Sequence, residues 1–149
     1  MIDIYSREII GHAVSDKHDT ELIREALFMA YENTNSKPEI HHSDQGSEYK
    51  SQDYTEELES KNIKISMSKK ASPWENGFQE SYYKGFKDDL GDIRRFNSLG
   101  ELVEAVHLTI DYYNSKRIHS AISMTPKEFK NEYENKFKHL NKLSSVSGC

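Results

Sequence analysis

Segments that alternate every second residue are interleaved in this chain with segments of helical period, which restricts it to a mixed α/β architecture. Ile2-Asp3-Ile4-Tyr5 and Ile9 to Val14 read as two strands, with Ser6-Arg7-Glu8 as the hairpin turn. Asp19 offers an N-cap for a helix carrying Leu22, Ile23, Ala26, Leu27 and Ala30 at helical spacing, and the stretch Asn33 to Pro38 ends it. Ile40 to Ser43 is a short strand, and Gly46 permits the turn that follows. Tyr54 and Leu58 mark a second helix, after which Ile63, Ile65 and Met67 alternate as a strand.

Three later helices announce their own starts. Ser72 at the N-cap, Pro73 at the first helical position and Glu75 three beyond the cap predict a capping box with a preset φ. Ser98 with Glu101, and Thr125 with Pro126 and Glu128, repeat the device. At about 100° per residue, Trp74, Phe78, Tyr82 and Phe86 share one side of the first of these helices. Asn76, Glu80, Lys84 and Lys87 share the other. The helix is expected to bury its aromatic row, with Trp74 as a core anchor rather than a base-stacking platform, and to present a polar stripe. The tail from about Lys142 is expected to fray.

With 149 residues, one domain plus an extension is the expected organisation. No run approaches the roughly 18 apolar residues of a membrane span, and the start MIDIYSREII lacks a signal-peptide layout. The lone Cys149 excludes an intrachain disulfide and a Cys-based zinc site, which fits a reducing, cytosolic compartment. His41 and His42 point to opposite sides of a strand and cannot chelate one ion together. A net charge of −5 does not advertise a nucleic-acid partner, yet Lys61, Lys64, Lys69, Lys70, Lys84 and Lys87 concentrate in one stretch.

Two acidic residues stand out. Asp44 closes the strand Ile40–Ser43, Glu80 sits mid-helix, and 35 residues lie between them. Carboxylates presented from a strand end and a helix face suit a hard divalent cation, which takes oxygen ligands and keeps positions for phosphate and water. Each has a plainer explanation. An Asp before Gln-Gly is a common turn former, and Glu80 could pair with Lys84 at i,i+4 for a few tenths of a kcal/mol.

The flanking residues favour the metal. HHSDQGSEY around Asp44 and ENGFQESYYKGFK around Glu80 resemble the segments bearing the second and third acidic residues of the DDE transposases and integrases. This is the retroviral-integrase-type catalytic core of bacterial insertion sequences. DIYSREIIG and YNSKRIHSAISMTPKEF (Tyr113 to Phe129) match as well, so the resemblance extends from Ile2 to about Tyr133. It implies a ribonuclease-H-like mixed sheet flanked by helices over residues 1–135, followed by a C-terminal tail at 136–149. It implies Asp44 and Glu80 as catalytic metal ligands for Mg²⁺ or Mn²⁺, and Asn76, Lys84, Lys87 and Lys70 as DNA contacts. Arg117 is a possible phosphate contact, with packing the favoured role. The implied partners are element-end and target DNA, with further copies or intact transposase, and no membrane. The implied location is cytoplasmic, at the nucleoid.

One feature departs from the pattern. DIYSREIIG aligns with the family's second strand, so Asp3 is not the counterpart of the first catalytic aspartate, which belongs on a strand preceding Met1. The expectation is a core lacking its first strand: an N-terminally truncated transposase, weakly active or inactive in 3′-end nicking and strand transfer. The alternative is a non-catalytic fragment that pairs with intact transposase, or complements a separately encoded N-terminal part.

Overall fold

The structure, a computed structural model, describes residues 1–34, 36–69 and 72–146; for Pro73, Asn76 and residues 138–146 it describes the backbone alone. The elements are α1 (Thr20–Thr34), β1 (Ile40–Ser43), α2 (Gln52–Ser60), β2 (Lys64–Met67), a 3₁₀ turn (Pro73–Asn76), α3 (Gly77–Leu90), a second 3₁₀ turn (Ile93–Arg95), α4 (Leu99–Ser115) and α5 (Pro126–Val146). They fall into two compact units, Met1–Ile2 with Ile9–Asp88, and Asp3–Glu8 with Asp89–Cys149. No helix among the described residues is long and apolar enough to cross a membrane.

In the first unit β1 and β2 pair in parallel, His41 opposite Ile65 and Ser43 opposite Met67. Parallel neighbours need a crossover, and α2 supplies it. The ladder ends with Ser68 N–H donating to Ser43 C=O at 2.9 Å, so the chain leaves β1 at Asp44. Asp19 caps α1 as expected, its carboxylate accepting from Leu22 N–H at 3.2 Å. The apolar stripe of α1 delivers Ile23 and Leu27 to a core shared with Tyr54, Leu58 and Ile63.

Tyr54 is fully buried, and its hydroxyl lies 3.2 Å from His41 Nε2. Burial lowers the His41 pKa to about 4 from its ordinary 6.5. Between those values the unfolded chain takes up a proton that the folded chain refuses. The stabilisation from neutral His41 is therefore complete above pH 6.5 and lost as the pH falls toward 4, by at most about 3 kcal/mol. Urea midpoints measured across that window should fall with acid in the native chain. They should fall less in His41→Gln, and parallel curves would contradict this account.

The expected front strands, Ile2–Tyr5 and Ile9–Val14, reduce to one antiparallel bridge between Ile2 and Ile9. The cause is local. Asp3 accepts hydrogen bonds from Tyr5 N–H, Ser6 N–H and Ser6 Oγ–H, which turns the chain directly after Ile2. Arg7 then adopts φ +66°. Short-range side-chain bonds of this kind compete directly with ladder pairing.

The second unit is built on α4 and α5. At α4 the predicted cap forms, Glu101 N–H donating to Ser98 Oγ at 3.2 Å, but the Glu101 carboxylate reaches back to Asn97 N–H at 2.8 Å rather than to Ser98 N–H, so the box is only half made. At α5 the exchange is reciprocal, Thr125 N–H donating to Glu128 Oε2 at 3.0 Å and Glu128 N–H to Thr125 Oγ1 at 3.3 Å. Ile110, Tyr113 and Asn114 are buried on α4. Tyr5 packs on Phe129 and Tyr133 of α5, with ring centroids 5.2 and 4.9 Å away. Lys130 reaches Glu8 at 2.8 Å.

Candidate metal and nucleic-acid site

Asp44 stands at the carboxyl end of β1, where parallel strands of α/β sheets present ligand-binding groups. Its side chain is exposed, and Oδ1 accepts from Gly46 N–H at 2.9 Å, while Oδ2 has no hydrogen-bond partner among the described residues. The turn is anchored to the next strand, for Gln45 Nε2 donates to Ser68 C=O at 3.1 Å. Lys50 Nζ in turn donates to Gln45 Oε1 at 3.0 Å. Asp44 is thus both turn former and available oxygen donor.

Glu80 lies in the first turn of α3, exposed. The ion pair with Lys84 that would explain it structurally does not form, and among the described residues neither Glu80, Lys84 nor Lys87 has an ionic partner. One residue links α3 to the Asp44 loop. The Tyr49 hydroxyl is pushed up to about 12 by burial first, then by Tyr83 of α3, Asp44 and Glu48. Tyr49 therefore lies among groups from both elements. Sequence reasoning took it only as the aromatic closing the HHSDQGSEY motif, and missed the tether formed by Gln45.

Other expectations for this helix are corrected. The Ser72 box does not form: Ser72 makes no side-chain cap bond, and the chain enters through a 3₁₀ turn. Glu75 instead accepts from Lys69 N–H at 2.7 Å, which takes it away from the cap. The aromatic row is not buried either. Trp74 is 73% exposed and Phe78 49%, and Leu90 is the buried residue of α3. A helical stripe is buried only where another element covers it, and periodicity does not supply the cover. Lys70 and the Asn76 side chain lie outside the described residues.

Asp3 is committed to its turn, and Arg117 ion-pairs with Asp89. Tyr113 is buried and stacks edge-on with His119 at 5.1 Å, so the Tyr113–Phe129 segment packs. His41 and His42 diverge as alternation requires, His41 toward Tyr54 and His42 Nδ1 to Ser66 Oγ at 2.9 Å. Among the described residues no three His, Cys, Asp or Glu side chains cluster closely enough to hold a metal ion. The donor chemistry nevertheless suits Mg²⁺, which is commonly held by one or two carboxylates with water and phosphate completing its shell.

Two family profiles, both described as Integrase core domain, match residues 1–73 and 61–126. The transposase for insertion sequence element IS904 of Lactococcus lactis is 35% identical over 131 residues, covering 86% of this chain and 52% of that protein. The putative transposase InsK for IS150 of Escherichia coli is 32% identical over 136 residues, covering 89% of this chain and 47% of that protein. The chain thus spans about half the length of these relatives. In fold it is similar to the HTLV-2 integrase catalytic core domain solved with magnesium, with a TM-score of 0.68 at 19% identity, covering 86% of this chain and 80% of that one. The sequence matches to two insertion-sequence transposases, the two profiles and the ribonuclease-H-like fold agree: the chain belongs to the integrase-core family of bacterial insertion-sequence transposases.

Proposed function

We propose that this chain carries two of the metal-binding carboxylates, Asp44 and Glu80, of a transposase that nicks the 3′ ends of its element and joins them to target DNA. A divalent ion, Mg²⁺ or Mn²⁺, bound there supplies Lewis-acid polarisation of the phosphoryl group and a more acidic water. The chain's own residues do the remainder. Asp44, its Oδ1 steadied by Gly46 N–H, offers Oδ2, and Glu80 offers from α3 a carboxylate without an ionic partner among the described residues. Lys84 and Lys87 lie one and nearly two turns further along and neutralise phosphates, which fixes the strand in register without reading sequence. Asn76 and Lys70 extend this contact toward the entrance of the helix, and further copies of the chain or intact transposase complete the assembly. The compartment is the cytoplasm, at the nucleoid where the DNA lies.

The single observation that most supports this reading is the exposed Asp44 carboxylate at the carboxyl end of β1, its Oδ1 held by Gly46 N–H at 2.9 Å. A further point of the proposal is that these 149 residues alone turn over weakly or not at all, because of the family's three acidic positions only the second and third find counterparts here, in Asp44 and Glu80. A second polypeptide bearing an apolar strand with an aspartate would then restore activity.

Mg²⁺-dependent strand transfer on a matched element end tests this, with the chain alone and with such a polypeptide added. Trace product alone and recovery on addition are expected; robust turnover by the isolated chain contradicts the weak-activity reading. The same shortfall leaves room for a second role, as an interfering fragment that binds intact transposase without catalysing. That role predicts inhibition of intact enzyme undiminished by Asp44→Asn or Glu80→Gln.

A further inference from the structure

We propose that Glu48 is a positioning residue for the Asp44 carboxylate, acting through Gly46 by shape rather than charge, a proposal that rests on the metal reading above. Gly46 is shared between the two side chains. Its N–H donates to Asp44 Oδ1 at 2.9 Å, and its Cα lies against the Glu48 carboxylate. A Cβ built there would stand 2.6 Å from Glu48 Oε1, 2.8 Å from Cδ and 3.0 Å from Oε2. A left-handed backbone calls for glycine at Gly91, with φ +70°, but not at Gly46. Glycine stands at 46 because the carboxylate fills the space of a side chain.

Glu48 is itself held. Its side chain is only 12% exposed, although it belongs to a surface turn, where glutamate ordinarily extends into water. Ser47 Oγ donates to Oε2 at 3.2 Å. His18 Nε2 lies 3.7 Å from Oε1, but the ring is 79% exposed and its pull is slight. The Glu48 carbonyl accepts from Ser51 N–H at 3.3 Å and from Ser51 Oγ at 2.8 Å, which ties the residue to the start of α2.

This arrangement steadies Asp44. Glycine is the most permissive backbone residue, and an unrestrained Gly46 would let the N–H that holds Oδ1 swing away. The folded Glu48 side chain removes that freedom on one face. Lys50 N–H, donating to Gly46 C=O at 3.3 Å, restrains the same peptide from another side. Loss of a group that orients a metal ligand typically costs about 10- to 100-fold in metal affinity or activity. Filling space and accepting from Ser47 require no charge, so glutamine should serve at position 48.

Mn²⁺ alone is the probe, its free concentration read from its electron paramagnetic resonance signal as the full chain is titrated. Asp44→Asn sets the reference loss. Glu48→Ala should weaken Mn²⁺ binding about 10- to 100-fold, whereas Glu48→Gln should bind as the native chain does. Gly46→Ala should show a loss of the same order, because its methyl group expels the carboxylate. Residues in contact couple, so in the Glu48→Ala background, where the clash is gone, Gly46→Ala should add little. Circular dichroism checks the fold of each variant. Loss in Asp44→Asn with Glu48→Ala indifferent overturns this proposal while the metal reading stands. Equal losses in Glu48→Ala and Glu48→Gln make Glu48 a ligand in its own right and overturn it too. Additive losses in the double variant do the same, as does unfolding of Glu48→Ala, which assigns the residue to general stability. Native binding that Asp44→Asn leaves untouched, or no Mn²⁺ binding at all, overturns both readings.

Discussion

Asp44→Asn and Glu80→Gln are each expected to lower Mg²⁺-dependent strand transfer by about a thousandfold or more, measured under whichever conditions of the strand-transfer assay above give turnover. A factor of that size corresponds to about 4 kcal/mol of transition-state stabilisation, a reasonable amount for metal-borne charge neutralisation at a phosphoryl centre. Both substitutions preserve shape and remove only the anionic oxygen. Asparagine can still accept from Gly46 N–H through its carbonyl, so the turn after β1 survives the change. Glu80 is exposed and unpaired with lysine, so its amide should fold equally well. The loss should appear in kcat with unfolding midpoints unchanged, and DNA affinity without metal should hold or rise as negative charge is removed. Equal activity in both variants would remove these residues from the chemistry.

The second large effect concerns stability. Tyr54→Ala is expected to cost about 3–5 kcal/mol, the range for emptying a large aromatic site. Tyr54 is fully buried among Ile23, Leu27, Leu58 and Ile63, with Tyr49 6.0 Å away ring to ring. Its hydroxyl also satisfies His41, so truncation leaves a cavity and a buried imidazole nitrogen without its partner. Against the 5–15 kcal/mol that holds a typical domain together, the variant should be largely unfolded near physiological temperature. Tyr54→Phe isolates the hydroxyl and should cost about 1–2 kcal/mol. Urea unfolding followed by circular dichroism measures both, and similar midpoints for Tyr54→Ala and the native chain would contradict the core described here.

The consequences for the site are indirect and testable in the same variants. Tyr54 stands in α2, between the strand that ends at Asp44 and the strand paired with it. Loosening this crossover loosens the support of the Asp44 turn, so activity should decline along with stability in Tyr54→Phe.

What could be read from the residues was whatever short-range chemistry decides. Asp19, Ser98 and Thr125 form the caps the sequence predicts, because a hydroxyl or carboxylate three residues from an amide needs no distant partner. The strand Ile40–Ser43, the Tyr54–Leu58 helix and the alternation at Ile65 were legible for the same reason. Ser72 and Glu75 show the limit of that logic. The motif is present, but Lys69 N–H competes for the Glu75 carboxylate and a 3₁₀ entry replaces the cap. The aromatic row of α3 was misread because period specifies a face and not its cover. The front hairpin was overestimated because Asp3 and Ser6 form a tighter turn than alternation suggests.

At the candidate site, residue identity and spacing pointed to Asp44 and Glu80 before any coordinates. Two other features emerged only from the fold. One was the half-buried Tyr49, whose ring lies 6.3 Å from His41 and 6.0 Å from Tyr54, a product of tertiary packing. The other was the exposed Trp74, whose solvent access depends on what fails to cover it.

Crystals of the chain grown with Mn²⁺, examined at the manganese absorption edge, test the central claim most directly. The account predicts one anomalous peak within bonding distance, roughly 2.1–2.2 Å, of a carboxylate oxygen from both Asp44 and Glu80, absent from crystals of Asp44→Asn. Carboxyl groups more than roughly 10 Å apart, or manganese bound only elsewhere, would exclude a shared ion at such bond lengths and contradict it.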